Sequence, residues 1–311
     1  MATDARSADP QKSLPQAVGS AISGAGRRGA TTLRLIIRTT SGRIALPIVL
    51  FHLVLFLVGP WLAPYPYTEF QYSDTGELQQ LLAPSAQFWL GTDQFGRDVL
   101  SRIMSGATSL IVIAGLGTVL GVSLGTVVGM SSGYRGGRID AVIMRVMDGL
   151  MSFPSLLLAL LVLTSLGANP VNILATVGVV TMPRVARVVR SVTLTVKELE
   201  FVQSARLRGE PAPYIIFREI LPNTMPVLGV ELSVRLSYSI LTVASLGFLG
   251  LGVQPPSPDW GLMISQSRGF LNIAPWVALA PAGAIASLVV GVNLLTDSIR
   301  QASGLPLEDK P

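Results

Sequence analysis

The chain contains no cysteine and few charged residues. With no cysteine among its 311 residues, disulfide and thiol chemistry are excluded, and the redox compartment cannot be read from the sequence. Charged residues make up 13% of the chain, against about a quarter of an average soluble domain. Apolar residues make up 50% and fall into blocks of about 20, the length that crosses a hydrocarbon core of roughly 30 Å. These features predict an all-α polytopic membrane protein.

Groups that carry chemistry are also scarce. His52 is the single histidine, and on an apolar helix we expect it to be packed rather than to relay protons. The lysines are Lys12, Lys197 and Lys310, and none of them follows the glycine-rich spacing of a phosphate-binding loop. The sequence also has no metal-ligand pattern. We therefore expect a chain that is not an enzyme, binds no cofactor or metal itself and does not hydrolyse ATP.

Hydropathy divides the chain into six predicted transmembrane helices and two tails. The spans are expected at roughly 44–63, 107–130, 141–166, 171–190, 225–250 and 275–297. Residues 1–43 form a polar N-terminal tail that we expect to be largely disordered, and residues 301–311 form a short C-terminal tail. Between them, residues 44–106 hold the first helix and an external segment, and residues 107–300 hold a core domain of five helices.

The basic residues that produce the net charge of +5 are unevenly distributed across the predicted membrane. With the N-terminus inside, nineteen of the 23 basic residues fall on the inner side, three fall outside, and Arg235 lies within a span. This asymmetry is the positive-inside signature of membrane topology. It explains the basic composition without nucleic acid as a partner, and it predicts that both termini are cytoplasmic.

Three charged residues within the predicted spans are candidate functional groups, namely Asp148, Glu231 and Arg235. Charges inside a span are costly and usually face protein or water. Asp148 follows Arg145 by three residues, which favours a structural ion pair near the interface. Glu231 and Arg235 are spaced i,i+4 in the favourable order. That pair faces either the pore or a partner subunit, and both readings stay open.

Small residues and prolines predict how the spans pack and bend. In the second span, Gly117, Gly121, Gly125 and Gly129 lie on one face, which lets a neighbouring helix approach closely. In the third span, Pro154 removes a backbone hydrogen bond and predicts a kink.

A polar motif precedes the second span on the predicted outer side. Thr92 or Asp93 is expected to cap a short helix lying in the outer interface. The apolar face of that helix consists of Phe95, Val99, Leu100 and Ile103. The residues of the motif are Gly91, Thr92, Asp93, Gly96, Arg97 and Asp98.

Residues 197–223 form a polar, basic segment between two apolar stretches. Its first half predicts a short helix ending at Arg208, with an apolar side made by Phe201, Val202, Ala205 and Leu207. Gly209 suits a C-terminal turn, Pro213 suits the first turn of a second helix, and Pro222 is expected to stop that helix. Residues 197–223 are therefore predicted to form a compact helix-turn-helix knob, in which a stiff turn from Gly209 to Pro213 joins two short helices.

The small residues of this knob, Ser204 and Ala205, suit it to press into a groove of a partner in the water. That interpretation moves the question of function from catalysis by this chain to assembly with another chain.

The same segment carries a resemblance to a known family. Gln203-Ser204-Ala205, followed after three residues by Gly209 and later by Leu221-Pro222, matches the spacing of the EAA loop of binding-protein-dependent ABC importer permeases. More narrowly, residues 40–300 resemble the C-type permease subunit of peptide and nickel importers. Beside the motif at 91–98, the matching stretches are Ser152-Phe153-Pro154-Ser155-Leu156, Phe248-Leu249-Gly250-Leu251-Gly252, Pro255-Pro256 and Trp260-Gly261.

The resemblance implies a type I ABC importer permease fold and alternating-access transport of peptides, or of nickel chelates, across the cytoplasmic membrane of a bacterium. The implied partners are a homologous B-type permease subunit, two ATPase subunits that bind ATP and magnesium, and an extracytoplasmic substrate-binding protein. Gln203 and Ser204 depart from the family consensus of Glu and Ala, so the spacing carries the match. The implied ATPase-coupling residues are Gln203, Ser204, Ala205, Arg206, Gly209, Glu210, Leu221 and Pro222.

Two other classes of protein stay open at this point. A secondary transporter or channel acting alone needs buried carboxylates or broken helices at mid-membrane, and Asp148 and Glu231 are its candidates. A structural or signalling membrane subunit explains the topology but gives no reason for the segment at 197–223.

Overall fold

A computed structural model describes residues 36–302, and the regular structure in this range is helical, with two isolated β-bridges and no strand. A helical turn at Ala212–Tyr214 and a π-helical segment at Ile215–Ile220 lead directly into α7, and a 3-10 turn at Arg268–Phe270 follows α8. The predicted all-α fold is confirmed. The helices are α1 (Thr40–Leu62), α2 (Val99–Arg135), α3 (Gly137–Met151), α4 (Ser155–Leu166), α5 (Pro170–Val196), α6 (Glu200–Leu207), α7 (Leu221–Phe248), α8 (Trp260–Ser267) and α9 (Trp276–Ala302).

Among residues 36–302, five helical stretches are long and apolar enough to cross a membrane: α1, α2, α5, α7 with its leading turns, and α9. The α3 and α4 helices meet this test only as a pair, and the pair is bent by 88°. The break falls at Pro154, which lacks an N–H group and disfavours helical backbone at Phe153. The predicted kink is confirmed, and it is sharp enough to divide the predicted span 141–166 into two helices.

The directions of α2 and α5 show why the bent pair crosses the membrane. Gly117 of α2 lies against Val177 of α5, and Gly133, further along α2, lies against Thr193, further along α5. Helices whose contacts advance together in this way run parallel. The chain must therefore return to its starting end between them, and α3 with α4 is the stretch that does so. With this crossing, residues 36–302 hold the six predicted spans.

The contact between α2 and α5 depends on the predicted row of glycines. A Cβ atom on Gly121 would lie 2.7 Å from Thr181 Cβ and 2.8 Å from the Gly178 carbonyl oxygen. On Gly125, a Cβ atom would lie 2.7 Å from the carbonyl oxygen of Met182. Since packing in lipid depends on such close backbone approach, the glycines hold the two helices together. The predicted close packing is confirmed, and its partner is α5.

Contacts also sort the connections between helices into two ends of the bundle. Gly59, late in α1, lies against the start of α2. Lys197, after α5, donates to the Gly133 carbonyl oxygen near the end of α2 at 2.9 Å. The Thr39 hydroxyl, before α1, donates to the Ser298 hydroxyl near the end of α9 at 3.0 Å. The contact between Gly59 and α2 lies at one end of the bundle, whereas the contacts of Lys197 and Thr39 lie at the other. The helix α6 follows α5 at the second of these, which we call the α6 end; the opposite end, where α8 lies, is the α8 end.

Two polar side chains are satisfied inside the bundle. Trp260, fully buried at the α8 end, donates its indole N–H to the Ile103 carbonyl oxygen at 3.0 Å. His52 is also buried, and its ring nitrogens lie 2.9 Å from the Ile48 carbonyl oxygen and 3.2 Å from that of Ala284. The expected packing role of His52 is confirmed.

The helix α5 runs through Pro183 and ends at Val196, six residues beyond the predicted end of the fourth span at 190. The helix end predicted at Pro222 is wrong. Pro222 stands in the first turn of α7 and does not stop the helix. The N–H of Leu221 donates to the Ile216 carbonyl oxygen five residues back, so the turn before Pro222 is already wider than an α-helical turn. The wider turn accommodates a ring that would collide with the carbonyl group of a regular α-helix.

Some predictions concern residues outside the described range. Residues 1–35 and 303–311 lie outside it, so the predicted disorder of the N-terminal tail stays a prediction, as does the C-terminal tail at 301–311. Thr40 to Arg43, at the end of the predicted tail, already belong to α1. The proposed domain boundaries also stay predictions.

Replacing Gly121 by valine should force α2 away from α5. Overpacking of this kind costs about 1–3 kcal/mol, because the new side chain overlaps Thr181 and the backbone of Gly178. We expect a lower melting temperature and less monodisperse protein in fluorescence-detected size-exclusion chromatography. Gly115→Val is the matched control on the same helix, since nothing lies within 4 Å of a Cβ atom there. Equal stability of the two variants would contradict this prediction.

Candidate functional site

The predicted coupling segment contains α6 and a tight turn that ends it. Gly209 has a φ of +78°, a conformation that side chains other than glycine adopt with strain. Its N–H donates to the Arg206 carbonyl oxygen at 3.0 Å, and the N–H of Glu210 donates to the Ala205 carbonyl oxygen at 3.2 Å. These two bonds form a Schellman turn, so the predicted C-terminal role of Gly209 is confirmed.

One face of α6 packs on the bundle. Val202 and Ala205 are fully buried, in one apolar cluster with Ile215 and Ile220 of the π-helical segment. This cluster also contains Val196, at the end of α5. The short helix is therefore fastened to the end of one membrane helix and to the beginning of another.

The opposite face of α6 is exposed. Leu207 has 89% of its surface exposed, so the prediction that it joins the apolar side is wrong. It follows Val202 by five residues, which places the two side chains about 140° apart around the helix. Ala205 packs on its own chain, which leaves Ser204 as the small residue available to a partner. The exposed residues of α6 are Glu200, Gln203, Ser204, Arg206 and Leu207.

Charged side chains hold the segment in place from two sides. The guanidinium group of Arg206 lies 5.0 Å from the ring centroid of Tyr134, which links α6 to the end of α2. Arg208 lies 3.8 Å from Glu210 and 3.7 Å from Glu219. Because Arg208 is half exposed, these two ion pairs add little stability.

Leu221 and Pro222 are separated from the exposed face of α6. Both belong to the first turn of α7, and Leu221 packs against a cluster that includes Met130 of α2 and Val185 of α5. The structure therefore brings Gln203 to Glu210 together as one unit and places the last two predicted coupling residues in a membrane helix.

The polar motif at 91–98 is a buried cluster organised by Asp93. One carboxylate oxygen of Asp93 accepts from Arg97 Nε at 2.9 Å and from Arg102 Nη1 at 2.5 Å. The other accepts from the backbone N–H groups of Phe95 at 2.8 Å and Arg97 at 2.9 Å. Asp93 and Arg102 are each 2% exposed. The carboxylate thus closes a turn and fastens it to α2.

The helix cap in this motif is Asp98, whose carboxylate accepts from the Ser101 N–H at 2.8 Å and the Ser101 hydroxyl at 2.6 Å. The hydroxyl of Thr92 donates to the Gln79 carbonyl oxygen at 2.6 Å. Neither Thr92 nor Asp93 caps a helix, because both are engaged in the turn, and α2 begins only at Val99. The predicted interface helix before the second span is therefore wrong.

Two glycines shape the same motif. Gly91 and Gly96 have φ values of +73° and +70°. A Cβ atom on Gly91 would also lie 2.6 Å from Trp276 Nε1, so the motif contacts the start of α9 as well as α2. These contacts support a structural role of the motif at the α8 end.

The comparison with known families bears on this arrangement of helices. The family described as "Binding-protein-dependent transport system inner membrane component" matches residues 125–303, which is more than half of the chain. The chain belongs to this family. It is therefore a membrane transport subunit and not an enzyme, and the resemblance carried by the α6 region is confirmed.

Curated relatives are similar to this permease along most of its length. A glutathione transport system permease protein GsiD of Pectobacterium atrosepticum is 42% identical over 262 residues, covering 83% of this chain and 86% of the relative. A dipeptide transport system permease protein DppC of Alkalihalophilus pseudofirmus is 37% identical over 235 residues, covering 76% and 77%. The GsiD protein of Escherichia coli O6:K15:H31 is 40% identical over 254 residues, covering 82% of each chain.

The permease pairs the charges predicted within its spans. Glu231 and Arg235 form the expected ion pair at 2.9 Å. Asp148 pairs with Arg187 of α5 at 2.5 Å and not with Arg145, so the predicted partner is wrong. The reason is that α5 packs against α3 and presents a guanidinium group to Asp148 from a neighbouring helix.

A second bridge between α3 and α5 was missed. Arg190 binds Asp140 through Nε and Nη2, both at 2.5 Å. The signal was the spacing of Arg184, Arg187 and Arg190 on one side of α5, which requires carboxylates opposite. Arg187 and Arg190 of this row pair with α3. Arg184 forms no ion pair with a carboxylate of the described residues.

Within residues 36–302, no group of three or more His, Asp or Glu side chains is placed to hold a metal ion. The expectation that this chain binds no metal or cofactor stays a prediction.

Replacing Asp93 by alanine should unfold the cluster at the α8 end. The change leaves the buried charge of Arg102 without its partner, and breaking a buried pair in this way costs about 3–5 kcal/mol. Thermal unfolding in detergent measures the loss. Asp74→Ala is the control, because Asp74 is exposed in the same segment. A melting temperature for the Asp93 variant within a degree of the control would show that the carboxylate does not hold the cluster.

Proposed function

We propose that this permease imports peptides as one of two membrane subunits of an ATP-driven transporter. The relatives named for glutathione and dipeptide transport support this substrate class, because glutathione is itself a tripeptide. The observation that carries the proposal is α6, an exposed helix held between two membrane helices, because a transport subunit without its own phosphate-binding loop needs such a docking contact. Nickel chelates are the alternative cargo that the resemblance left open.

The proposed partners follow from the family and from the shape of the α6 end. A homologous B-type permease subunit completes the path, two ATPase subunits bind below, and an extracytoplasmic binding protein delivers the solute. The basic residues at the α6 end favour the cytoplasm as its location, with both termini on that side and the protein in the plasma membrane of a bacterium. ATP and magnesium belong to the ATPase subunits in this proposal.

The coupling proposal assigns the exposed face of α6, from Gln203 to Leu207, to the ATPase contact. Closure of the two ATPase subunits would push α6, and α6 is fastened to the end of α5 and to the segment that leads into α7. Motion of this short helix therefore reaches two membrane helices at once. Alternating access follows if these helices open the path to opposite sides in turn.

The rival class, an ion-coupled transporter acting alone, is less well supported. Its candidate carboxylates, Asp148 and Glu231, are both paired with arginine side chains. A carboxylate that is neutralised in this way has little reason to take up a proton or sodium ion at mid-membrane.

Reconstitution of the purified complex tests the function. We expect ATP-dependent uptake of a radiolabelled dipeptide or tripeptide into proteoliposomes that contain the permease pair, the ATPase subunits and the binding protein. Uptake driven by a proton or sodium gradient with the permease alone would contradict the proposal. Uptake of a nickel chelate but of no peptide would leave the importer standing and overturn its substrate class.

Replacing Gly209 by valine should uncouple ATP hydrolysis from transport. Valine at a φ of +78° strains the turn that ends α6, so the exposed face is no longer held at a fixed angle. We expect at least about a fivefold drop in peptides moved per ATP hydrolysed, the lower end of typical coupling between two sites, with normal membrane insertion. Gly209→Asn is the control, because asparagine tolerates the left-handed conformation better than valine. An unchanged ratio in Gly209→Val would remove Gly209 from the coupling mechanism.

Replacing Leu207 by aspartate should weaken assembly with the ATPase subunits. An apolar side chain that is 89% exposed is expected to be covered in the complex, and burying a charge in its place is costly. Co-purification through a tag on the permease measures the bound ATPase. Leu199→Asp serves as the control, since Leu199 is 46% exposed just before α6. Equal ATPase recovery from the two variants would exclude Leu207 from the contact.

A further inference from the structure

A polar cleft lies between the middle parts of α5 and α7. Arg184 lies close to the midpoint of α5, Arg235 lies close to the midpoint of α7, and both line the cleft. Two valines complete its wall. The remaining lining residues all carry hydroxyl groups, namely Ser155, Thr181, Tyr238, Ser239 and Thr242.

The cleft carries one uncompensated positive charge. Arg235 is neutralised by Glu231 at 2.9 Å and lies 5.8 Å from the ring centroid of Tyr238. Arg184 is exposed and has no carboxylate partner among residues 36–302. A guanidinium group at this depth is costly in hydrocarbon, so this face has to meet water or protein. An anion that visits the cleft would reduce that cost.

Two further groups in the cleft can interact with an anion. Ser155 is the first residue of α4, which begins after the break at Pro154 with no side-chain cap. The N-terminus of a helix that starts within the membrane carries partial positive charge and free N–H groups. Independently, Ser239 is 2% exposed, and its hydroxyl has no hydrogen-bond partner among the described residues.

We infer that this cleft is a carboxylate-binding subsite on the transport path, which takes the C-terminal carboxylate of a peptide as it crosses. The inference rests on the proposed peptide function and adds a recognition element within the permease itself. The planar guanidinium fork of Arg184 suits a carboxylate better than a lysine would, because it can donate two parallel hydrogen bonds. The competing occupant is a carboxylate of the partner permease subunit.

Uptake of matched peptides tests the subsite. The complete transporter with its binding protein is reconstituted, and uptake of a dipeptide with a free C-terminal carboxylate is compared with uptake of its C-terminal amide below saturation. In Arg184→Gln we expect the acid-to-amide uptake ratio to fall about tenfold relative to wild type. Loss of one hydrogen bond to a charged group lowers affinity by about this factor. The binding protein's own preference for acid or amide does not affect this comparison, because the same binding protein delivers peptide to the wild-type and the Arg184→Gln transporter.

Matched variants separate recognition from a general loss of charge. Arg187→Gln removes the same charge three residues along α5, outside the cleft, and should leave the ratio unchanged. Arg184→Lys should restore part of it. If the binding protein does not deliver the amide, direct binding of both peptides to the detergent-purified complex measures the same ratio.

Three results would overturn the inference. Equal loss of acid and amide uptake in Arg184→Gln would indicate a structural role, such as an ion pair with the partner subunit. Unchanged uptake of both peptides in Arg184→Gln would show that the carboxylate does not bind Arg184. Failure of the wild-type transporter to move or bind any peptide would instead refute the proposed function, and the inference with it.

Discussion

The close contact between α2 and α5 is the constraint on which the other features depend. Glycines along α2 let the two helices run side by side in the same direction. Parallel neighbours require a return crossing between them, which the bent pair α3 and α4 provides. The same contact brings the end of α5 beside the end of α2, where Lys197 binds the Gly133 carbonyl oxygen and α6 begins. A bulky side chain in the glycine row would therefore disturb both the topology and the position of the coupling segment.

Features encoded by local patterns could be predicted from the sequence. The apolar blocks predicted the spans, the four-residue glycine spacing predicted close helix packing, and Gly209 predicted the turn that ends α6. The i,i+4 spacing of Glu231 and Arg235 predicted their ion pair. In each of these cases the relevant partners lie within one helical turn, or one face of one helix, so the chain itself sets the geometry.

Features that depend on a neighbouring helix could not be predicted. Asp148 had Arg145 nearby in sequence, and only the packing of α5 shows that Arg187 is its partner. Thr92 or Asp93 was the predicted cap, whereas Asp98 caps α2, because Asp93 binds Arg102 and is held in the turn. Pro222 indicated a helix end, because a sequence pattern does not reveal that a π-helical segment precedes it. Leu207 was assigned to the apolar face, although it follows Val202 by five residues and so lies about 140° from it around the helix.

The position of the coupling segment between α5 and α7 limits where residues can be inserted into or deleted from the chain. Arg184 is separated from the end of α5 by roughly 18 Å of continuous helix, at 1.5 Å per residue. One inserted residue there would rotate Arg184 by about 100° relative to α6 and turn it out of the cleft. The same holds for the helix between α6 and Arg235, which runs unbroken from Ala212. The number of residues in these two stretches therefore fixes how Arg184 and Arg235 are oriented relative to α6. The connections at the α8 end lie outside both stretches, so their lengths do not affect this orientation.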